Sequence, residues 1–555
     1  MPVPVIVLNF GHSVLRTLED YTNAASEIYR HYRQGQNVVA VTSAQGDQSD
    51  VLLAEARRIG PEGQAKNLPE LIQLGERRSA ALLALALERI GAPAFVRQAR
   101  DLGLTAKGSS TEAELTGLDA DQLHQDLKDH DIVVMPGYVA IGDKDRTVLL
   151  GQGGSDLTAL FVADQIDSPA LLLKDVDGVY ARDPKQSGDS PERYSDISWD
   201  DMAKVAGPLV EPKALGFAKK REQSFRIGRP GIPLYTTIGP KTGPLSAAPK
   251  FKKLRVAMMG CGVVGGGVFR RMKASPDKFE MVKIMVRDIE KYIDQGYSPD
   301  LLTTEFDDLA AAKPDIFIDV SGGIEPALSN THAMIEAGVH VVSANKQAIA
   351  KGGRELINLA ESKGVELLFS ASAGGGMPVL EMCKREKGRI TRVQALLNGT
   401  TNFMLGEISK GRSYEDALAD AQEKGFAEAD PSNDVNGADA GAKILLVALL
   451  GFDEEITIDD IHRDSIENFN PTKPPKGSIK RIATVWKDSN GFSSRLDLKD
   501  LSLNNFLAKA EGEEAHAVFD FDDGDQYRIR GKGAGRWPTT ESVMADLFDI
   551  SALDL

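Results

Sequence analysis

The sequence predicts an α/β protein of several domains, and three observations predict it. Short β-branched runs alternate with amphipathic helical stretches, the pattern of parallel sheets covered by helices. A glycine-rich turn, Gly260-Cys261-Gly262-Val263-Val264-Gly265, follows a strand and opens a helix. Between Ile238 and Lys253 the residues become Gly-, Pro-, Ala- and Lys-rich without periodicity, and a new strand follows at once. At 555 residues the chain is also too long for one hydrophobic core.

In chain order, the strand candidates are Val3–Leu8, Asn37–Thr42, Ile132–Met135, Ala170–Lys174, Leu254–Met259, Phe279–Val286, Ile316–Val320, His340–Ser343 and Glu366–Phe369. Residues 1–240 form a first domain and 241–253 a linker. Residues 254–375, completed by about 531–555, read as a dinucleotide-binding domain, with a substrate domain over 376–530. No internal repeat or low-complexity tract is visible.

Composition narrows the function classes. The 65 basic against 81 acidic residues leave a net charge of −16, which argues against nonspecific binding to nucleic acid. Lys219, Lys220 and Arg221 make a short basic run that reads as a solvated helix face. No apolar run is long enough to span a bilayer, and Met1 to Phe10 read as a first strand rather than a leader. The two cysteines, Cys261 and Cys383, point to a chain without disulfides and to the cytoplasm. The 8 histidines show no spacing that would hold zinc.

The turn at Gly260–Gly265 carries the first chemical signal. Its first glycine permits the tight turn, its second lets the backbone approach a pyrophosphate, and its third allows close packing of helix on strand. The helix that follows points its N-terminus at the anion, with Val263 and Val264 in the loop. Arg287 and Asp288 come directly after the second strand. An acidic residue there suits the ribose hydroxyls of NAD and an arginine suits the extra phosphate of NADP. Arg287 leads off the strand, so the reading tilts mildly to NADP over NAD.

Further motifs accumulate in one order. They are Ser343-Ala344-Asn345-Lys346, Ala373-Gly374-Gly375-Gly376-Met377-Pro378 and Leu397-Asn398-Gly399-Thr400-Thr401-Asn402-Phe403. Next come Gly425 to Pro431, Asp434 to Ala440 with Lys443, and Gly533-Ala534-Gly535-Arg536 with Pro538-Thr539. From about Lys253 to Leu555 this succession resembles the homoserine dehydrogenases, with a Rossmann domain followed by an α+β substrate and dimerisation domain. The resemblance implies reversible reduction of L-aspartate 4-semialdehyde to L-homoserine with NADP or NAD, on the route to threonine and methionine. It places Ala344, Asn345 and Gly535 beside the cofactor, and Glu428 and Asp434 at the substrate ammonium. It also implies a homo-oligomer, a dimer or a tetramer.

Elementary chemistry supports the same site. Asp439 and Lys443 lie four apart in the apolar-rich helical stretch Gly437–Leu450 and so share a face. A partly enclosed lysine is a usable acid or base, and reducing an aldehyde needs a proton for the new hydroxyl. By resemblance Lys443 is the leading candidate for that transfer, oriented by Asp439, while Lys346 shares or owns the role. Asn398, Gly399, Thr400 and Thr401 offer amides and hydroxyls near this pocket. Loop capping and direct ligand contact are equally open for the two threonines. Some family members hold a monovalent cation with a carboxylate where Ser370 stands; here only the backbone oxygens of Ala373 and Gly375 could serve.

The first 240 residues resemble the catalytic domain of aspartate kinases, of the three-layer amino-acid kinase fold. The resemblance rests on Ser43-Ala44-Gln45-Gly46, Leu74-Gly75-Glu76-Arg77, Pro136-Gly137-Tyr138, Gly151 to Asp156, and Lys174 to Tyr180 continuing to Asp183-Pro184. Two charged positions depart from it. The family opens with Lys-Phe-Gly-Gly-Thr, whereas this chain has Asn9-Phe10-Gly11-His12-Ser13. Gln152 stands where an arginine clamps the aspartate carboxylate. Each lost transition-state charge contact costs roughly a hundredfold in rate, so the expectation is an inactive kinase-like domain with a structural or ligand-holding role. The alternative is a bifunctional enzyme in which other residues replace these two. No ligand-sensing module is expected between the halves or after the second.

Overall fold

Strands buried on both faces are dominated by apolar side chains, and the runs at Val5–Phe10, Asn37–Thr42 and Ile132–Pro136 are so composed, with Asn9, Asn37 and Thr42 as buried polar exceptions. The computed structural model describes residues 3–60, 66–182, 191–205, 209–427, 429–471 and 475–553. The chain divides into two compact units. One comprises Met1–Arg89 and Pro93–Lys250, the other Phe251–Leu555 together with Ile90–Ala92.

In the first unit an eight-stranded sheet runs in the order Asp196–Ser198, Tyr235–Gly239, Phe225–Gly228, Ala170–Leu173, Val5–Phe10, Asn37–Thr42, Ile132–Pro136 and Ala94–Val96. Every neighbouring pair is parallel except Phe225–Gly228 with Tyr235–Gly239. Alternation decides which side chains meet which helix. Val7, Val39, Val41, Val133 and Leu172 share one core with Leu157, Leu160 and Phe161 of the helix Gly154–Gln165. Lys219 and Arg221, of the basic run, end in surface ion pairs with Asp200 and Asp164. The expected Asp183-Pro184 segment lies outside the described residues.

The second unit holds two sheets. The first is parallel throughout, in the order Leu302–Thr303, Phe279–Met285, Leu254–Met259, Ile316–Asp319, His340–Ser343 and Leu367–Leu368. That doubly wound order reverses direction between Leu254–Met259 and Ile316–Asp319, where such sheets open a ligand crevice. The terminal helix Arg536–Ser551 returns to pack Val543, Met544 and Leu547 against Val268, Phe269 and Met272. The second sheet runs His462–Arg463, Gly491–Leu501, Ser478–Asp488, Ile390–Ala395, Glu514–Phe521 and Gln526–Lys532, antiparallel but for its first pair. The helical stretch expected over Gly437–Leu450 is a helix at Ala438–Val447, then a wider turn at Ala448–Phe452. It stops where Asp453 takes a left-handed conformation. No described helix is long and apolar enough to cross a membrane.

A buried imidazole rests under the antiparallel sheet. His516 stacks on Phe506 at 4.5 Å, and its Nδ1 lies 2.8 Å from the Phe506 carbonyl. Burial pushes its pKa down to about 4, with Arg530, Lys480 and Lys509 adding repulsion and the Phe506 carbonyl opposing them. The unfolded chain therefore takes up a proton that the folded chain refuses between about pH 6.5 and pH 4. Stability from this residue is complete above pH 6.5 and falls as the pH drops through that window. Thermal melts should show this loss in the parent chain, on the order of 3 kcal/mol. His516→Gln should flatten the profile there, and a parallel profile in the variant refutes the account.

Candidate active site

The strand Leu254–Met259 ends at Gly260, whose φ of +93° suits glycine; a Cβ there would stand 2.8 Å from the Val320 carbonyl oxygen. A Cβ on Gly265 would collide with the Gly260 carbonyl, so the helix Val263–Lys273 can sit this close to the strand only without one. At Gly262 nothing lies within 4 Å of a Cβ position, and Val263 beside it is exposed. The loop is closed on its protein side and open in front of a helix N-terminus. That is the cradle a dinucleotide pyrophosphate needs, and these residues fit one.

Beyond the second strand, Asp288 caps the helix Ile289–Ile293, its carboxylate accepting from Lys291 N at 3.1 Å. Arg287 is exposed. Asn345 caps the helix Lys346–Lys363: its Oδ1 accepts from Ala348 N at 3.1 Å, and its Nδ2 donates to the Gly323 carbonyl at 2.9 Å. The cap fixes the start of that helix, and with it Lys346.

A cavity of about 450 Å³ opens between these elements and the substrate-side motifs. Ala344, Lys346, Gly375, Gly399, Thr400, Asp434, Asp439, Lys443 and Gly535 all line it. Asp439 is its hub. Lys443 Nζ donates to Asp439 Oδ2 at 2.9 Å and to the Leu397 carbonyl at 2.6 Å. Lys346 Nζ lies 3.1 Å from Asp439 Oδ1. Asn398 Nδ2 donates both to Asp439 Oδ2, at 2.9 Å, and to Asp434 Oδ1, at 2.6 Å. Burial alone would raise the Asp439 carboxyl, but the ammonium groups of Lys443 and Lys346 outweigh it and hold the group well below the usual carboxylate range. Lys443 is only 7% exposed, so this charge is enclosed, whereas the side chain of Lys346 is 35% exposed.

Both threonine hydroxyls are engaged within the protein. Thr400 donates to the Phe426 carbonyl at 2.6 Å, and Thr401 to that of Asn398 at 3.3 Å. Glu428 lies outside the described residues. Ala373 is buried beside the Gly374–Gly375 turn. Ser370 meets a carboxylate from an unexpected direction: its N–H and hydroxyl donate to buried Asp546 of the terminal helix, at 3.1 and 2.8 Å.

Sequence reasoning missed Arg481. This buried guanidinium on the strand Ser478–Asp488 donates to the Val435 carbonyl at 2.8 Å, and also to the Asp434 carbonyl and Thr401 Oγ1. Burial pulls its pKa down to about 10, against the opposing pull of Asp434 and Asp439. The available signal was the adjacent Lys480-Arg481 pair between Ile479 and the apolar run from Ile482. On the kinase-like side, Gln152 donates to Glu211 Oε1 at 3.1 Å, while Asn9 and Lys174 both bond Asp156.

An open dinucleotide loop at the switch point of a doubly wound sheet, in one unit with a cavity that holds two lysines on one carboxylate, defines a nicotinamide-dependent oxidoreductase. Two family models divide this region. Homoserine dehydrogenase, NAD binding domain, matches residues 260–370, and Homoserine dehydrogenase matches 378–548. The Amino acid kinase family model matches residues 4–227. The homoserine dehydrogenase of Bacillus subtilis is 33% identical over 317 residues, covering 54% of this chain and 73% of that protein. That of Pseudomonas aeruginosa is 31% identical over 316 residues, covering 54% and 72%. The crystal structure of a homoserine dehydrogenase from Thiobacillus denitrificans superposes with a TM-score of 0.51 at 29% identity, covering 54% of this chain and 74% of that one. The chain belongs to the homoserine dehydrogenase family and carries an amino-acid-kinase domain on its N-terminal side.

The positioning role of Arg481 is open to substitution. Arg481→Met removes the guanidinium bonds to the Val435 and Asp434 carbonyls and a buried cation facing two carboxylates, at a cost of ~3 kcal/mol. Denaturant melts should show that loss, with Arg481→Lys recovering part of it. An unchanged midpoint in the methionine variant refutes the positioning role.

Proposed function

We propose that the chain catalyses the reversible NAD(P)H-dependent reduction of L-aspartate 4-semialdehyde to L-homoserine. The observation that carries this is the Asp439 carboxylate bridging Lys443 and Lys346 within the cavity that Gly375 and Gly535 also line. Family membership supports the substrate. When bound, the nicotinamide supplies the hydride for the carbonyl carbon and takes it back in the reverse direction. Lys443, oriented by Asp439 and the Leu397 carbonyl, holds the proton for the oxygen that becomes hydroxyl. Lys346, on the more exposed side, meets the same oxygen or relays the proton outward. Asp434 and Glu428 receive the substrate ammonium, and Gly399 and Thr400 close the pocket wall beside it.

On the cofactor side, Gly260, Gly262, Val263, Val264 and Gly265 would cradle the pyrophosphate, with Ala344, Asn345 and Gly535 around the nicotinamide end. Asp288 spends its carboxylate on a helix cap while Arg287 is exposed, which favours the 2′-phosphate of NADP. A monovalent cation on the backbone oxygens of Ala373 and Gly375 belongs to the same reading, with Asp546 supplying charge to that turn through Ser370. The kinase-like domain is read as inactive in phosphoryl transfer, because the uncharged Gln152 offers no fork to a carboxylate. We place the protein in the cytoplasm, in keeping with two buried free cysteines, as a homodimer or homotetramer.

Homoserine oxidation by the purified chain, measured with NAD and NADP in parallel, tests the main claim; no turnover with either overturns it. Lys443→Ala should lower kcat by ~10³ or more while cofactor KM stays within a few-fold, and near-normal turnover removes Lys443 from proton transfer. Arg287→Ala should raise the KM for NADP about tenfold and leave that for NAD unchanged. Equal effects on both cofactors would assign Arg287 no role in that preference.

A further inference from the structure

Lys346 stands at the first position of a helix that does not run straight. Lys346–Lys363 leaves helical geometry at Gly353, where φ is +43° and ψ −130°, directly after a second glycine, Gly352. Glycine pairs are a common cause of such breaks. The segment that carries Lys346 is therefore only about two turns long, and so short a helix does not hold itself in water. Asn345 caps its front end. Its back end is held from another element.

Past the break the Arg354 N–H opens a new stretch of helix, and Glu455 Oε1 accepts it at 2.9 Å. A Cβ on Gly353 would stand 2.8 Å from that same oxygen, so the glycine lets Glu455 in. The Arg354 guanidinium grips Asp453 with both terminal nitrogens. Nη1 donates to the Asp453 carboxylate at 2.8 Å and Nη2 to its carbonyl at 2.9 Å. A planar fork meets two acceptors of one residue in a way that a single ammonium does not. Lys387 Nζ reaches the same carboxylate at 3.1 Å.

Asp453 is the left-handed residue that ends the helical stretch beginning at Ala438, the stretch that carries Asp439 and Lys443. The two lysine-bearing elements thus meet twice. At the cavity Lys346 lies 3.1 Å from Asp439, and at the far end Arg354 holds Asp453. Between these contacts Ala348 and Ile349 share one core with Ala440 and Ile444.

We propose that Arg354 is a positioning residue for the two-lysine site. By joining the break in one helix to the end of the other, it fixes Lys346 relative to Asp439 and Lys443. Its effect on turnover rests on the dehydrogenase reading; the brace itself does not. The Arg354 and Asp453 side chains are 36% and 53% exposed, so their pairing contributes little to stability. What it sets is the placement of two lysines on one carboxylate. A displacement of about 1 Å at reacting groups can cost up to about a hundredfold in rate.

Arg354→Met keeps the aliphatic stem and separates placement from stability. Homoserine oxidation should show kcat lowered about tenfold, with the KM for NADP within about twofold and the thermal midpoint within a few degrees of the parent. Hydrogen exchange read by mass spectrometry should show the amides of residues 349–352 exchanging about tenfold faster, with those of the strand Leu254–Met259 unchanged. Normal turnover in Arg354→Met, or unchanged exchange over 349–352, overturns the proposal. Equal loosening of both segments overturns it too, because that marks a general loss of stability. If the parent chain oxidises no homoserine, the dehydrogenase reading fails, and exchange over 349–352 still decides whether Arg354 holds the segment. Should Arg354→Met not fold, Asp453→Asn carries the same measurements, since asparagine tolerates the left-handed backbone there.

Discussion

The Asp439 carboxylate is the contact on which the catalytic unit turns. Burying a carboxylate costs several kcal/mol unless its charge and lone pairs are met. Here three groups meet them, each from a different element: Lys346 at the start of its helix, Asn398 after the strand Ile390–Ala395, and Lys443 one turn along from Asp439 itself. The first belongs to the parallel, cofactor-side sheet and the second to the antiparallel one. One carboxylate thus joins the two halves of the cavity, and its low pKa keeps it ionised wherever both lysines are charged. Arg481 stands behind this arrangement, holding the Asp434 segment through backbone carbonyls.

The cofactor side is held by economy of a different kind. The terminal helix Arg536–Ser551 comes back across the unit to pack on the helix that follows the glycine loop, and Gly535 at its start reaches the cavity wall. The same helix buries Asp546 against Ser370. A single C-terminal element therefore supports the helix after the glycine loop, borders the cavity and holds Ser370 by two hydrogen bonds. The Asn345 cap fixes the remaining wall by committing both ends of its side-chain amide to the backbone.

How far the sequence reveals this depends on the distance over which each feature is set. The parallel strands were readable because burial on both faces demands continuous β-branched runs, as at Asn37–Thr42 and His340–Ser343. The Asp439–Lys443 contact was readable because it spans one helical turn. The antiparallel sheet beyond Phe369 went unnamed, and its central strand explains why: Ser478–Asp488 buries Lys480 and Arg481 among apolar neighbours, which breaks the expected alternation. Lys480 is met there by Asn402 Oδ1 and the Ala510 carbonyl, partners that only the fold supplies. The meeting of Lys346 with Asp439 likewise has no local signal.

Charge placement carries the same point furthest. A motif compares residues by their number along the chain, but electrostatics acts through distance, which falls off steeply only in space. Ser370 has no charge of its own, yet a carboxylate reaches it from residue 546. Asn9 has none either, yet an ammonium shares its partner Asp156 from residue 174. Gln152 bonds the Glu211 carboxylate, and the Glu112–Lys213 ion pair lies against the same glycine turn, with Lys213 also donating to the Leu150 carbonyl. A position that differs in a motif can therefore still have a charged group beside it, brought there by the fold.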